Sequence, residues 1–211
     1  MLDYYARRAA EYERIYDKPE RQRDLRLLRN VLSTTFAGEH LLEVACGTGY
    51  WSAVTAQSAA SILVTDANSE VLDLARRKDY APCTVEFRQD DAYALESVTG
   101  AYTAGFHGFW WSHIPQSRKK AFLQTFHARL APGARVVMLD NAFVTGSNTP
   151  ISRRDEEGNT YQIRRLEDGS EYEVLKNFPT DEELRSDLFP HASGIEITRH
   201  EYYWMAQYRL A

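Results

Sequence analysis

Two glycines, Gly47 and Gly49, close the apolar run Leu41-Leu42-Glu43-Val44 and open a helical pattern from Tyr50 to Ala56. A strand that ends in a Gly-x-Gly turn and feeds a helix brings bare backbone against a ligand, at the carboxyl edge of a parallel sheet. Glycine suits that turn because it accepts positive φ and carries no side chain to block the approach. The next apolar run, Ser61-Ile62-Leu63-Val64-Thr65, ends at Asp66, placed to accept hydrogen bonds from ribose hydroxyls. A third run, Thr84-Val85-Glu86-Phe87-Arg88, delivers Asp90 and Asp91 to the same edge. Together these residues describe a nucleotide-type cofactor site. Taken singly, the glycine turn also fits an ordinary strand-turn-helix corner, and the two aspartates also fit a solvated turn.

Further along, His113 can orient a substrate oxygen or accept its proton near neutrality, or can simply bond backbone in a loop. Arg164, Arg165 and Lys176 fall on the arms of one expected hairpin. Guanidinium forks recognise carboxylate and phosphoryl oxygens, and lysine adds a mobile point charge. Glu171, Glu173 and Asp168 can equally neutralise those cations in a wet, salt-bridged hairpin. His40, His107, His113, His127, His191 and His200 show no metal spacing, so no metal is expected.

Alternating strand and helix patterns must hold these residues. Residues 3 to 18 carry Tyr4, Tyr5, Arg8, Tyr12, Ile15 and Tyr16 at spacings of three and four, a helix with an aromatic stripe. A second amphipathic helix is expected over residues 20 to 36, stopped by Gly38. Ser69 is placed to cap the helix that runs on to Lys78, and Pro82 bars its continuation. Gly105 to Trp111 reads as a fourth strand, residues 117 to 130 as a helix, and Ala134 to Asp140 as a strand after the turn at Pro132-Gly133. Residues 144 to 178 read as an insertion whose hairpin turns at Glu167-Asp168-Gly169. Thr180 starts a helix, and residues 195 to 204 and 205 to 210 are extended.

The 211 residues suit one domain, 1 to 211, with an N-terminal helical segment over 1 to 36. A hydrophobic share of 44%, a charged share of 26% and a net charge of -5 are those of an ordinary soluble protein, with no reason to expect nucleic acid. Cys46 and Cys83 give neither a disulfide framework nor metal spacing. No stretch reaches the ~20 apolar residues of a membrane span, so a cytoplasmic protein, monomer or homodimer, is expected.

The order Glu43-x-x-x-Gly47-x-Gly49, with Ser52 where a dinucleotide site prefers glycine or alanine, resembles the class I S-adenosylmethionine-dependent methyltransferases. A carboxylate beside the turn suits a cationic cofactor better than a pyrophosphate. The resemblance extends over nearly the whole chain to a small-molecule branch that includes a phosphonate O-methyltransferase of antibiotic biosynthesis. It rests on Tyr4-Tyr5-x-x-Arg8-Ala9-x-x-Tyr12, Glu43-x-Ala45-x-Gly47-Thr48-Gly49-Tyr50-Trp51, Phe87-Arg88-Gln89-Asp91, Trp110-x-x-His113-x-Pro115 and Arg165-x-x-x-Gly169-x-x-x-x-x-x-Lys176. Phe109 stands where the relative has histidine, and the segment after Tyr16 differs.

The resemblance implies a Rossmann-like α/β fold: seven mostly parallel strands with helices on both faces, the last strand antiparallel. It also implies an N-terminal helical lid and a β-hairpin flap. S-adenosylmethionine would lie with its methionyl part at Glu43, Ala45, Gly47, Thr48, Gly49 and Trp51. Asp66 and Ala67 would take its ribose, and Asp90 or Asp91 with Ala92 the adenine. Tyr5, Arg8 and Tyr12 would cover it, and Phe109 and Trp110 would face the sulfonium, which ring faces attract by ~0.5 to 2 kcal/mol. A small acceptor, methylated at oxygen and carrying an acidic group, would meet Tyr16, His113, Arg164, Arg165 and Lys176, leaving S-adenosylhomocysteine. N- or S-methylation of a small metabolite and a non-catalytic cofactor-binding protein of this fold are the alternatives. A nicotinamide oxidoreductase is disfavoured by Ser52 and Glu43.

Overall fold

The structure, a computed structural model, describes residues 2–211. Its main sheet is assembled from β1 (His40–Val44), β2 (Ser61–Asp66), β3 (Thr84–Gln89), β4 (Tyr102–Gly108), β5 (Leu130–Asn141), β9 (Ala192–Arg199) and β10 (Tyr203–Leu210). The strand order is β3-β2-β1-β4-β5-β10-β9. The first five strands pair in parallel, and β10 runs antiparallel to both β5 and β9. This is the Rossmann-like sheet that the resemblance implies, with the reversed strand inserted next to the edge.

Burial on both faces explains the near-continuous apolar strands. Successive side chains point to opposite faces, so Leu41, Val137 and Tyr203 join one core while Leu42, Val136 and Trp204 join the other. The first core receives Leu25, Leu28, Leu32 and Phe36 from α2 (Gln22–Thr35) and its C-cap. The second receives Phe122 and Phe126 from α5 (Lys119–His127) and Leu184 and Leu188 from α6 (Asp181–Leu188). Thr180 and Glu183 form a reciprocal capping box at the start of α6, as their spacing predicts.

The helices that follow β1 and β2 are short. The turn at Gly47 and Gly49 leads into α3 (Tyr50–Thr55), and β2 leads into α4 (Ser69–Ala75). The structure corrects the cap: Asn68, not Ser69, takes the N-cap position, and the helix ends at Ala75 rather than Lys78. It also moves the fourth strand three residues toward the N-terminus, so that it starts at Tyr102 and stops at Gly108. Phe109 adopts φ +60 and its N–H donates to the carbonyl of Leu139 at 2.6 Å. That left-handed residue ends the extended run and turns Trp110 and the Trp111–His113 turn away from the sheet. Pro132-Gly133 falls inside β5 rather than before it, in the irregular stretch between Leu130, partner of Tyr102, and Arg135, partner of Ala104.

The N-terminal segment is α1 (Leu2–Arg8) followed by a tighter 3-10 stretch, Ala9–Tyr16, where the spacing predicts one helix. Tyr4 packs against Leu166 and Val174 of the insertion. The insertion is a three-stranded antiparallel sheet, β6 (Arg153–Arg154), β7 (Thr160–Arg165) and β8 (Glu171–Leu175), so a short third strand joins the expected hairpin. Its base is fixed to the turn after β4: Asn177 N–H donates to the Ser112 carbonyl at 2.8 Å, and its Nδ2 to that of Ile114 at 3.1 Å.

Candidate active site

The carboxyl ends of β1, β2 and β4 enclose a cavity of about 340 Å³. Its floor comes from Ala45, Gly47 and Thr48 after β1, and from Asp66 and Ala67 after β2. Asp90, Asp91 and Ala92 after β3 form one side, and Phe109 and Trp110 after β4 the other. Tyr5 and Tyr12 reach in from the N-terminal segment. Asp66 already organises this floor: one carboxylate oxygen accepts from Gly47 N–H and the other from Asn68 N–H, each at 2.9 Å. Burial raises the Asp66 pKa against the pull of those two bonds.

The two aspartates differ in what they leave free. Asp90 is spent on the following loop, accepting from Glu96 N–H at 3.2 Å, Ser97 N–H at 2.8 Å and the Ser97 hydroxyl at 2.6 Å. Asp91 accepts through Oδ1 from Tyr93 N–H at 2.9 Å and keeps Oδ2 without a partner among the described residues. Trp110 stands edge-on to Tyr93, with ring centroids 5.4 Å apart, and Arg118 lies over the Tyr93 ring at 3.4 Å.

A second cavity, of about 280 Å³, adjoins the first, and the two share Tyr5, Tyr12, Phe109 and His113 as a common wall. Arg164, Arg165 and Lys176 line it, as do Arg8, Lys18 and Arg21 from the N-terminal region; Glu11 is the one carboxylate in its lining among the described residues. Arg165 points outward into an ion pair with Glu171 at 2.6 Å. Arg164 bonds only neutral groups among the described residues: Gln162 Oε1 at 2.8 and 3.3 Å, and the Tyr5 hydroxyl at 3.5 Å.

Lys176 is buried against β5, its Nζ donating to Asp140 Oδ1 at 2.8 Å and to the Ser112 hydroxyl at 2.6 Å. Burial lowers the lysine pKa despite Asp140. Burial pushes the Asp140 carboxyl up, but Lys176 brings it below its usual range. His113 Nδ1 donates to the Leu175 carbonyl at 2.6 Å. Its Nε2 is therefore the bare nitrogen, and accepts from the Tyr5 hydroxyl at 2.8 Å. Burial, reinforced by Lys176 and Arg164, holds His113 well below the usual imidazole range and so neutral.

Five expected residues lie elsewhere than the resemblance puts them. Glu43 is buried under the turn and does not line the cavity; burial raises its carboxyl to about 8. Gly49 packs α3 on α4, where an added Cβ would come within 2.8 Å of the Ala75 Cβ. Trp51 is in the core, donating to the Tyr16 hydroxyl at 3.1 Å. Tyr16, expected at the acceptor, is core as well, stacked on Tyr50 at 4.0 Å. Arg8 lines the second cavity rather than the first, over the rings of Tyr4 and Tyr12.

Sequence reasoning missed Lys18, Arg21, Asn141, Ser147, Asp140 and Arg118. Asp140 and Asn141 carried a usable signal, since they end a strand at the same sheet edge as Asp66. Lys18 and Arg21 reach the site only because α2 packs beside the sheet, which no local pattern reveals.

A family described as Methyltransferase domain matches residues 41–133. The chain is 32% identical over 104 residues to the demethylmenaquinone methyltransferase of Clavibacter sepedonicus, covering 49% of this chain and 42% of that one. It therefore spans less than half the length of that curated relative. Among solved structures, a DhpI–SAH complex superposes with a TM-score of 0.79 at 26% identity, over 100% of this chain and 95% of that one. A DhpI–SAM–HEP complex superposes at 0.80 with 27% identity, over 99% and 95%.

The first cavity suits S-adenosylmethionine. Trp110 Nε1 is buried there without a partner among the described residues, Asp91 offers a free oxygen, and Gly47, at φ +57, presents bare backbone. Glycine turn, acidic strand ends, sheet order and these likenesses agree: the chain carries a methyltransferase domain, matched over residues 41–133, and is similar over its whole length to DhpI in its S-adenosylhomocysteine- and S-adenosylmethionine-bound structures.

Proposed function

We propose that the chain methylates an oxygen atom of a small acidic acceptor, a carboxylate, phosphate or phosphonate, held in the 280 Å³ cavity. The observation that carries this reading is the Arg164 guanidinium, which lines that cavity with only neutral partners among the described residues. A partly desolvated cation without a counter-ion is costly, and an anionic ligand removes the cost. The HEP-bound complex of DhpI lends support as a likeness only.

Bound in the first cavity, S-adenosylmethionine supplies an electrophilic methyl group, and displacement in line with its C–S bond requires the acceptor oxygen about 3 to 3.5 Å away. Tyr5, Tyr12, Phe109 and His113 form the boundary where the two ligands meet. An ionised acceptor needs no general base, so His113 acts in this reading as a positioning residue. Fixed by the Leu175 carbonyl, it orients the Tyr5 hydroxyl toward the boundary. Were the acceptor a neutral hydroxyl, the bare His113 Nε2 would be the group that accepts its proton once Tyr5 turns aside. We place the reaction in the cytoplasm, in keeping with free Cys46 and Cys83. Among the described residues no helix is long and apolar enough to cross a membrane.

The test is mass spectrometry of purified protein incubated with S-adenosylmethionine and a panel of small phosphonates, phosphates, carboxylates, amines and phenols. Methyl esters of the acidic members are expected. Methylation confined to the amines and phenols would refute the reading.

A further inference from the structure

Resting on that reading of the second cavity, we propose that Lys18 and Arg21 form a separate anion subsite, so that the acceptor carries two acidic groups. One lies toward Arg164 and the other against Lys18 and Arg21.

Arg21 is only 5% exposed, yet forms no ion pair among the described residues. Its guanidinium donates to neutral oxygens: Nε to the Ser147 hydroxyl at 3.1 Å, Nη1 to Asn141 Oδ1 at 3.2 Å, and Nη2 to the Ser147 carbonyl and hydroxyl at 3.3 and 3.0 Å. The rings of Tyr202 and Tyr203 hold it from one side, 5.4 and 5.6 Å from its carbon. None of these partners carries a charge to balance it. Lys18 Nζ converges on the same Ser147 carbonyl at 2.6 Å.

The nearest carboxylate to Lys18 among the described residues is that of Glu20, at 4.0 Å. Glu20 is exposed, accepts the Ser147 hydroxyl at 2.9 Å and does not line the cavity, so it compensates this corner weakly. Asn148, also in the lining, uses Oδ1 to accept from Val144 N–H at 2.8 Å and leaves its Nδ2 donor unspent among the described residues.

Two separate groups fit better than one. Arg164 is fixed by Gln162 of β7 and Tyr5 of α1, whereas Arg21 is fixed by the Ser147 loop and two rings beside β10. Different scaffolds hold them, and Lys176 is already balanced by Asp140. A single monoanionic group would leave one guanidinium uncompensated. Both guanidinium groups bear on Lys176, and each favours its neutral form, as expected where cations face one cavity from two sides.

Calorimetry on the S-adenosylhomocysteine complex separates the possibilities, with propylphosphonate as the single-headed probe and 3-phosphonopropionate as the double-headed one. Wild-type protein should bind the double-headed probe about tenfold more tightly. Lys18→Gln, at a half-exposed position, and Arg21→Gln should each erase most of that preference while leaving propylphosphonate affinity unchanged. Arg164→Gln should weaken both probes. Equal binding of the two probes by wild type, or a preference that survives in Lys18→Gln, would overturn the second subsite while leaving the acidic acceptor intact. If neither probe binds, the acidic-acceptor reading falls with it.

Discussion

Replacing Glu43 by glutamine separates two accounts of the motif carboxylate. The resemblance gives it a cofactor contact, whereas the structure buries it at 1% exposure, outside the cavity, with Oε2 unpartnered among the described residues. Burial raises its folded pKa to about 8 from the ordinary 4.5, with a smaller contribution from Asp66. The folded protein therefore keeps a proton that the unfolded chain releases between those two values. Stability from this group is complete below pH 4.5 and is lost as pH rises toward 8. Each pH step of one within that window is worth about 1.4 kcal/mol for a single proton, so from pH 5 to pH 7 the wild type should lose about 2 to 3 kcal/mol more than Glu43→Gln, which has nothing to ionise. Urea denaturation at pH 5, 6, 7 and 8 reads this difference directly. Cofactor affinity of the variant at pH 7 should match wild type. A pH-independent stability difference, or a large loss of S-adenosylhomocysteine binding by a folded variant, would refute the reasoning.

Arg164→Gln removes a charge-assisted contact of about 1.5 to 3 kcal/mol, so KM for an acidic acceptor should rise about 10- to 150-fold with cofactor affinity unchanged. Steady-state kinetics with both ligands varied checks this. Glu13 clasps the N-terminal segment over the glycine turn, accepting from the Thr48 hydroxyl at 2.6 Å and from Lys78 at 2.8 Å. Glu13→Ala should therefore speed cofactor release about 3- to 10-fold, measured by stopped-flow. His107 is wholly buried with neither ring nitrogen partnered among the described residues, and burial lowers it to about 3 from 6.5. Its folded form resists protonation, so stability is full above pH 6.5 and declines as pH falls toward 3. At pH 5 the loss is about 2 kcal/mol, and it should vanish in His107→Phe when melting curves at pH 5 and pH 7 are compared.

The sheet was readable because its information is local. Apolar runs ending in Gly47, Asp66 and Asp90 mark the carboxyl edge of a parallel sheet, and Asp168-Gly169 marks the bend of the hairpin. Periodicity failed where one backbone angle decides the outcome. Phe109 in the left-handed region ends β4 early, and nothing in an aromatic run foretells a positive φ at a β-sheet edge. The residues that floor the first cavity were accessible to sequence reasoning, yet Glu43 and Trp51 show that sharing a motif does not mean lining the cavity: the two-residue period of β1 and the inner face of the helix α3 send both into the interior. The lining of the second cavity was half legible. Arg164 and Lys176 came from the hairpin pattern, but the pairing of Lys176 with Asp140 and the approach of Lys18 and Arg21 depend on how the insertion and α2 dock on the sheet.

Calorimetric titration of S-adenosylhomocysteine into wild-type protein and into Asp66→Ala tests the cofactor site most directly. One molecule should bind each wild-type chain, and the variant should bind at least about tenfold more weakly, having lost the anchor of the Gly47 turn and the carboxylate that we propose takes the ribose. Well-folded wild-type protein that takes up no S-adenosylhomocysteine, or a variant that binds it equally well, would contradict the account.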